Sequence, residues 1–91
     1  MTTSAMAEIR LPAPDPFNFK TPDDWPRWSK RFKQFWAASG LEKDPEEKQT
    51  NTLLYCMEEE ADVVLDSTNI SVGDKKVYVT VLQKFNEFFQ V

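Results

Sequence analysis

A chain of 91 residues, 41% of them hydrophobic, is long enough for one small domain with a core of its own and too short for two. The absence of histidine removes the commonest general base and metal ligand, and a single cysteine excludes an internal disulfide. The net charge of −4 disfavours nucleic acid as the main partner.

No stretch of the sequence has the length and apolar character of a membrane span. Residues 1–7 also lack the basic and hydrophobic regions of a signal peptide. Because a chain with one cysteine is most easily placed in a reducing compartment, we expect an intracellular, cytoplasmic protein.

The charge is unevenly distributed along the chain. Residues 1–40 hold six Lys/Arg and four Asp/Glu, a net of +2, whereas residues 41–91 hold five and eleven, a net of −6. This asymmetry would let the basic part of one copy meet the acidic part of another, although ordinary solvated helix surfaces explain the same pattern.

Residues 1–16 are predicted to form a flexible, Pro-rich N-terminal tail, and residues 17–91 the folded domain. The prolines of the tail favour extended geometry and prevent helix formation. Alternating apolar residues are compatible with a short edge strand at 9–11 or at 17–19. The prolines are Pro12, Pro14 and Pro16.

The first helix is predicted between Thr21 and Gly40. Thr21 with Asp24 three residues later has the pattern of a capping box, and Pro22 suits the first turn. Gly40 is a natural C-terminal stop. Aromatic residues recur at helical spacing and predict a buried face. They are Trp25, Trp28, Phe32, Phe35 and Trp36.

A second helical stripe runs from about residue 45 to 67. Asp44 is the predicted N-cap, and Pro45 the first residue of the helix. The apolar spacing stays in phase throughout, so that one long helix and two helices with a bend at Glu58–Glu60 both remain open. After a loop over 67–73, a last helix is predicted from about Asp74 to Gln90. Together these helices predict an all-α bundle of three or four helices.

Three stretches together resemble the N-terminal capsid lobe in the Gag polyprotein of Ty3/Gypsy-class retrotransposons. They are FNFKTPDDWPRWSKRFKQFWAASGL, EEKQTNTLLYCMEEEADVVLDS and VYVTVLQKFNEFF. The resemblance covers residues 16–91 and depends on the aromatic lead-in, the W-x-x-W pair, the Ser-Gly-Leu helix end and the EEAD-x-x-L segment. Members of that family often carry glycine at the position that Glu58 occupies here.

The resemblance implies a compact helical lobe that self-assembles through protein–protein contacts into a capsid-like shell. The same lobe is found in Gag-derived host proteins such as Arc and the paraneoplastic antigens. In the Arc lobe a hydrophobic groove receives short extended peptides, so a domesticated, Arc-like peptide-binding module is the alternative function.

Two interaction surfaces are predicted on this basis. Some of the aromatic residues, although core packing explains most of them, are expected to line a groove for short Pro/aromatic peptides or for the chain's own tail. These are Phe17, Phe19, Trp25, Trp28, Phe32 and Tyr78. Charged residues are expected to form assembly faces that orient neighbouring copies. These are Arg27, Lys30, Arg31, Glu58, Glu59 and Glu60.

No catalytic pattern accompanies these surfaces. The sequence has neither a Gly-rich phosphate loop nor a nucleophile elbow, and we expect no enzyme activity, cofactor or metal site. The acidic run Glu58–Glu60 with Asp62 lacks the spacing of a calcium loop and is read as solvated charge. Cys56 lies beside the buried stripe and is expected to be an unreactive, partly buried thiol.

Overall fold

A computed structural model describes residues 12–89 and contains, within this range, four α-helices and no strand. The helices are α1 (Trp25–Ala38), α2 (Glu46–Met57), α3 (Glu60–Ser67) and α4 (Tyr78–Phe88). Short 3-10 segments at Pro22–Asp24, Leu41–Lys43 and Asp74–Lys76 precede α1, α2 and α4. The predicted all-α bundle is confirmed.

The predicted strand at 17–19 is wrong, because Asn18 folds the chain into a turn. The Asn18 side-chain Oδ1 accepts the Lys20 N–H at 2.9 Å, and its carbonyl accepts the Thr21 N–H at 3.1 Å. Asparagine favours such turns by hydrogen bonding to the backbone two residues on. The alternative strand at 9–11 lies outside the described residues.

The predicted capping box at the start of the first helix is also wrong. The Thr21 hydroxyl donates to the Asn18 carbonyl at 3.3 Å, and it makes no capping hydrogen bond to the helix. The chain instead forms one 3-10 turn over Pro22–Asp24, and α1 begins at Trp25. The predicted C-terminal stop is confirmed, since Gly40 follows α1 in the left-handed conformation with φ 84°.

At the start of α2, Pro45 rather than Asp44 is the N-cap residue, and its carbonyl accepts the Gln49 N–H at 3.1 Å. The Asp44 carboxylate makes no capping hydrogen bond, because it pairs with Lys48 Nζ at 3.2 Å. The C-terminal helix is shorter than predicted, since the extended backbone of Val77 (φ −102°, ψ 109°) separates the 3-10 turn from α4.

The middle stripe is two helices, divided at Glu58. Its backbone lies at φ 72° and ψ −174°, where an α-helix cannot continue. The Glu58 N–H donates to the Tyr55 carbonyl at 3.2 Å, and its own carbonyl accepts the Ala61 N–H at 3.0 Å. One residue therefore closes α2 and opens α3, and creates a sharp corner between them.

All four helices contribute to one hydrophobic core. Its largest fully buried apolar side chains are Phe32 of α1, Leu53 and Met57 of α2, Leu65 of α3, and Val81 and Phe85 of α4. Among the described residues, no helix combines the length and apolar character needed to cross a membrane.

Candidate functional site

The residues that precede α1 pack against the helices through Phe17. We refer to residues 12–20 as the lead-in. The Phe17 side chain is only 4% exposed. Its ring lies 5.4 Å from that of Trp25, 5.8 Å from Trp28 and 5.1 Å from Phe89, in edge-to-face arrangements. Such aromatic pairs are favourable beyond the area that they bury. The lead-in is therefore anchored in the core of the bundle.

A hydrogen bond from a side chain to the backbone also fixes the lead-in beside α1. The indole N–H of Trp28 donates to the Asp15 carbonyl at 2.6 Å. The indole N–H of Trp25 is also satisfied, since it donates to Asn86 Oδ1 of α4 at 2.8 Å. These bonds explain how half-buried and buried tryptophans keep their polar atoms paired.

The structure brings together five of the six residues predicted to line an aromatic groove. Phe19, Trp28 and Phe32 join Phe17 and Trp25 in one cluster that reaches α4. Because Phe17, Trp25 and Phe32 are buried, this cluster is part of the core. Phe17 and Phe19 also line an open groove between the lead-in and the corner of α2 and α3. The sixth residue, Tyr78, lies elsewhere and stacks on Trp36, with ring centroids 5.6 Å apart.

An open groove of about 1220 Å³ lies on the other side of the lead-in. The lead-in forms one wall, and the corner between α2 and α3 forms the other. Tyr55 and Val63 line this groove, and they are 85% and 67% exposed. Neither residue is among those predicted from the sequence. The signal was Tyr55, an aromatic side chain outside the buried stripe of an amphipathic helix.

The second wall of this groove is acidic. It carries the predicted assembly residues Glu58, Glu59 and Glu60 together with Asp62, and Lys20 is the basic residue in the lining. Within residues 12–89, none of the four carboxylates forms an ion pair. The described residues also contain no group of His, Cys, Asp or Glu arranged to hold a metal ion.

The predicted basic residues lie on a different surface. Arg27, Lys30 and Arg31 are exposed on α1, as is Lys33. Arg27 is 3.4 Å from Asp24, and Arg31 donates to Gln34 Oε1 at 2.8 Å. No residue of α1 borders the groove, so the basic and acidic side chains face different surroundings.

Two buried groups have altered acidity. Burial raises the pKa of the Cys56 thiol above its usual value, which disfavours the reactive thiolate form. This agrees with the expectation of a quiet thiol. Burial also raises the pKa of the Tyr78 hydroxyl to about 12.

We expect the folded state to lose stability as the pH rises from about 10 to about 12. Unfolded tyrosine ionises at its ordinary pKa of 10.0, whereas Tyr78 resists ionisation until about 12 in the folded state. The free energy of unfolding is therefore unaffected by ionisation of this group below pH 10. Between pH 10 and pH 12 it falls by at most about 2–3 kcal/mol. Urea unfolding at several pH values measures this effect. Tyr78→Phe should flatten the dependence, and Tyr55→Phe, the exposed control, should not.

Comparison of the chain with protein-family models, with curated proteins and with solved structures gives no match. The fold and the groove define a small all-α domain with an open, acidic and partly apolar surface. The Gag resemblance therefore depends on the sequence stretches quoted above.

Proposed function

We propose that this chain is a protein-interaction domain of the Gag capsid N-terminal kind, and that its contacts join copies of the chain in capsid-like assembly. The observation that carries the proposal is the open groove beside the lead-in, in which Tyr55 and Val63 are largely exposed.

The groove has the composition of a contact surface between proteins. Tyrosine is enriched in such contacts, because it combines a large apolar ring with a polar tip. Leu54 and Phe19, both half-buried, extend the apolar lining beyond Tyr55 and Val63. Covering these side chains removes apolar surface from water at about 25 cal/mol per Å². A partner seated here would therefore gain affinity from burial.

A peptide-binding module is the second candidate, because the lead-in supplies a wall without helix or strand against which an extended segment could lie. Strand addition, however, needs backbone N–H donors along that wall. Pro12, Pro14 and Pro16 have none. This favours a folded surface, such as that of a second copy, over a paired strand.

One experiment tests both candidates. In sedimentation equilibrium from micromolar to millimolar concentration, the average mass of the chain is expected to rise, and Tyr55→Ala should reduce the rise. Val79→Ala, another exposed apolar residue but outside the groove lining, is the matched control and should behave as wild type.

Other outcomes contradict the proposal. If the average mass equals that of one chain at every concentration, and nuclear magnetic resonance shows saturable binding of Pro/aromatic peptides, the peptide-binding function replaces self-association. If neither occurs, the groove is not an interaction site of either kind.

A further inference from the structure

We propose that the acidic groove of one copy receives the outer face of α1 from a second copy, which makes the contact head-to-tail. We call Arg27, Lys30, Arg31 and Lys33 the basic face. The inference rests on the proposed function and names the surface that fills the groove.

The groove carries charge that no other residue between 12 and 89 neutralises. Its lining holds four carboxylates and the ammonium of Lys20, a balance of −3. The three ion pairs within the described residues all lie elsewhere, at Asp24, Asp44 and Asp66. A partner with positive charge would therefore be attracted, and the attraction would be strongest at low salt.

Helix α1 has the opposite composition. Between Trp25 and Ala38 it contains four basic residues and no acidic one. Arg27, Lys30 and Arg31 are separated by three and four positions, which places them along one side of the helix. All three side chains are exposed, so that this side is available to a second copy.

Tyr55 makes the groove suited to these particular side chains. Tyr55 is 85% exposed and lines the same groove as the carboxylates, so that an arginine or lysine entering the groove can stack on its ring while it pairs with an acid. The long aliphatic stems of the same side chains can cover Val63. The apolar and charged parts of the lining therefore select one kind of partner.

The arrangement determines the symmetry of the contact. Since the basic face and the acidic groove are different surfaces of one chain, a contact between them is heterologous. A pair of copies joined in this way still has one free groove, on one copy, and one free basic face, on the other, so association continues beyond two copies, as a shell requires.

Two double variants test the inference. R27Q/R31Q removes two of the four positive charges of the basic face, and E59Q/D62N removes two of the four carboxylate charges of the groove. Each alone is expected to associate at least about tenfold more weakly than wild type in sedimentation experiments at low salt. An equimolar mixture should form a one-to-one complex that does not grow, because it contains one intact groove and one intact basic face.

Matched controls change the net charge equally at other exposed sites. K43Q/K76Q and E42Q/E87Q should associate as wild type does, and circular dichroism should show all variants folded. If wild type associates but R27Q/R31Q and E59Q/D62N associate equally well, or their mixture forms no one-to-one complex, this inference is wrong while the proposed function stands. If wild type does not associate at all, both fail.

Discussion

Replacing Phe17 with alanine is expected to lower the free energy of unfolding by about 3–4 kcal/mol. That is a large share of the roughly 5–10 kcal/mol typical of a chain of this size. The Phe17 ring is buried among Phe19, Trp25, Trp28 and Phe89, so alanine would leave a cavity lined by four aromatic rings. The lead-in would also lose its only buried anchor among residues 12–20.

Urea denaturation followed by circular dichroism measures this loss. Phe88→Ala is the matched control, because Phe88 is also an aromatic residue that contacts Phe89 but is 50% exposed. It is expected to cost no more than about 1 kcal/mol. Equal losses for the two variants would show that the lead-in contributes nothing to the stability of the bundle.

Periodicity predicted the parts of this fold that depend on burial. The stripe of α1 placed Trp25 and Phe32 on the inner face, and both are buried. Gly40 marked the end of the helix, because the left-handed backbone there favours glycine. An amphipathic pattern reports which side of a helix is covered, and therefore the all-α class could be read from the sequence.

The hydrogen bonds that cap the helices were predicted poorly from the sequence, because several partners compete for one side chain. The Thr21 hydroxyl bonds to Asn18 and the Asp44 carboxylate to Lys48, so neither caps its helix. The helix break was left open, since the apolar spacing remains in phase across it. Tyr55 and Val63 were not predicted as groove residues, because they line one groove with the lead-in only in the folded chain.

Replacing Glu58 with glycine is expected to raise the free energy of unfolding by about 1 kcal/mol. At φ 72° and ψ −174°, Glu58 occupies a region of backbone conformation that is almost restricted to glycine and costs other residues about 1–3 kcal/mol. Glycine relieves this strain. Its greater conformational entropy in the unfolded state, however, lowers the free energy of unfolding by about 0.5–1 kcal/mol. The melting temperature should rise by about 4–8 °C.

Calorimetry on two further variants isolates the backbone as the cause. Glu58→Gln removes the charge but keeps the strained conformation, and should leave the melting temperature almost unchanged. Asn69→Gly relaxes the other non-glycine residue between 12 and 89 that has a positive φ, 58°, and should gain little, because asparagine tolerates the left-handed region. A gain from Glu58→Gln equal to that from Glu58→Gly would assign the effect to repulsion among the groove carboxylates. Strain at the corner predicts a gain for glycine alone, since both variants remove the same charge.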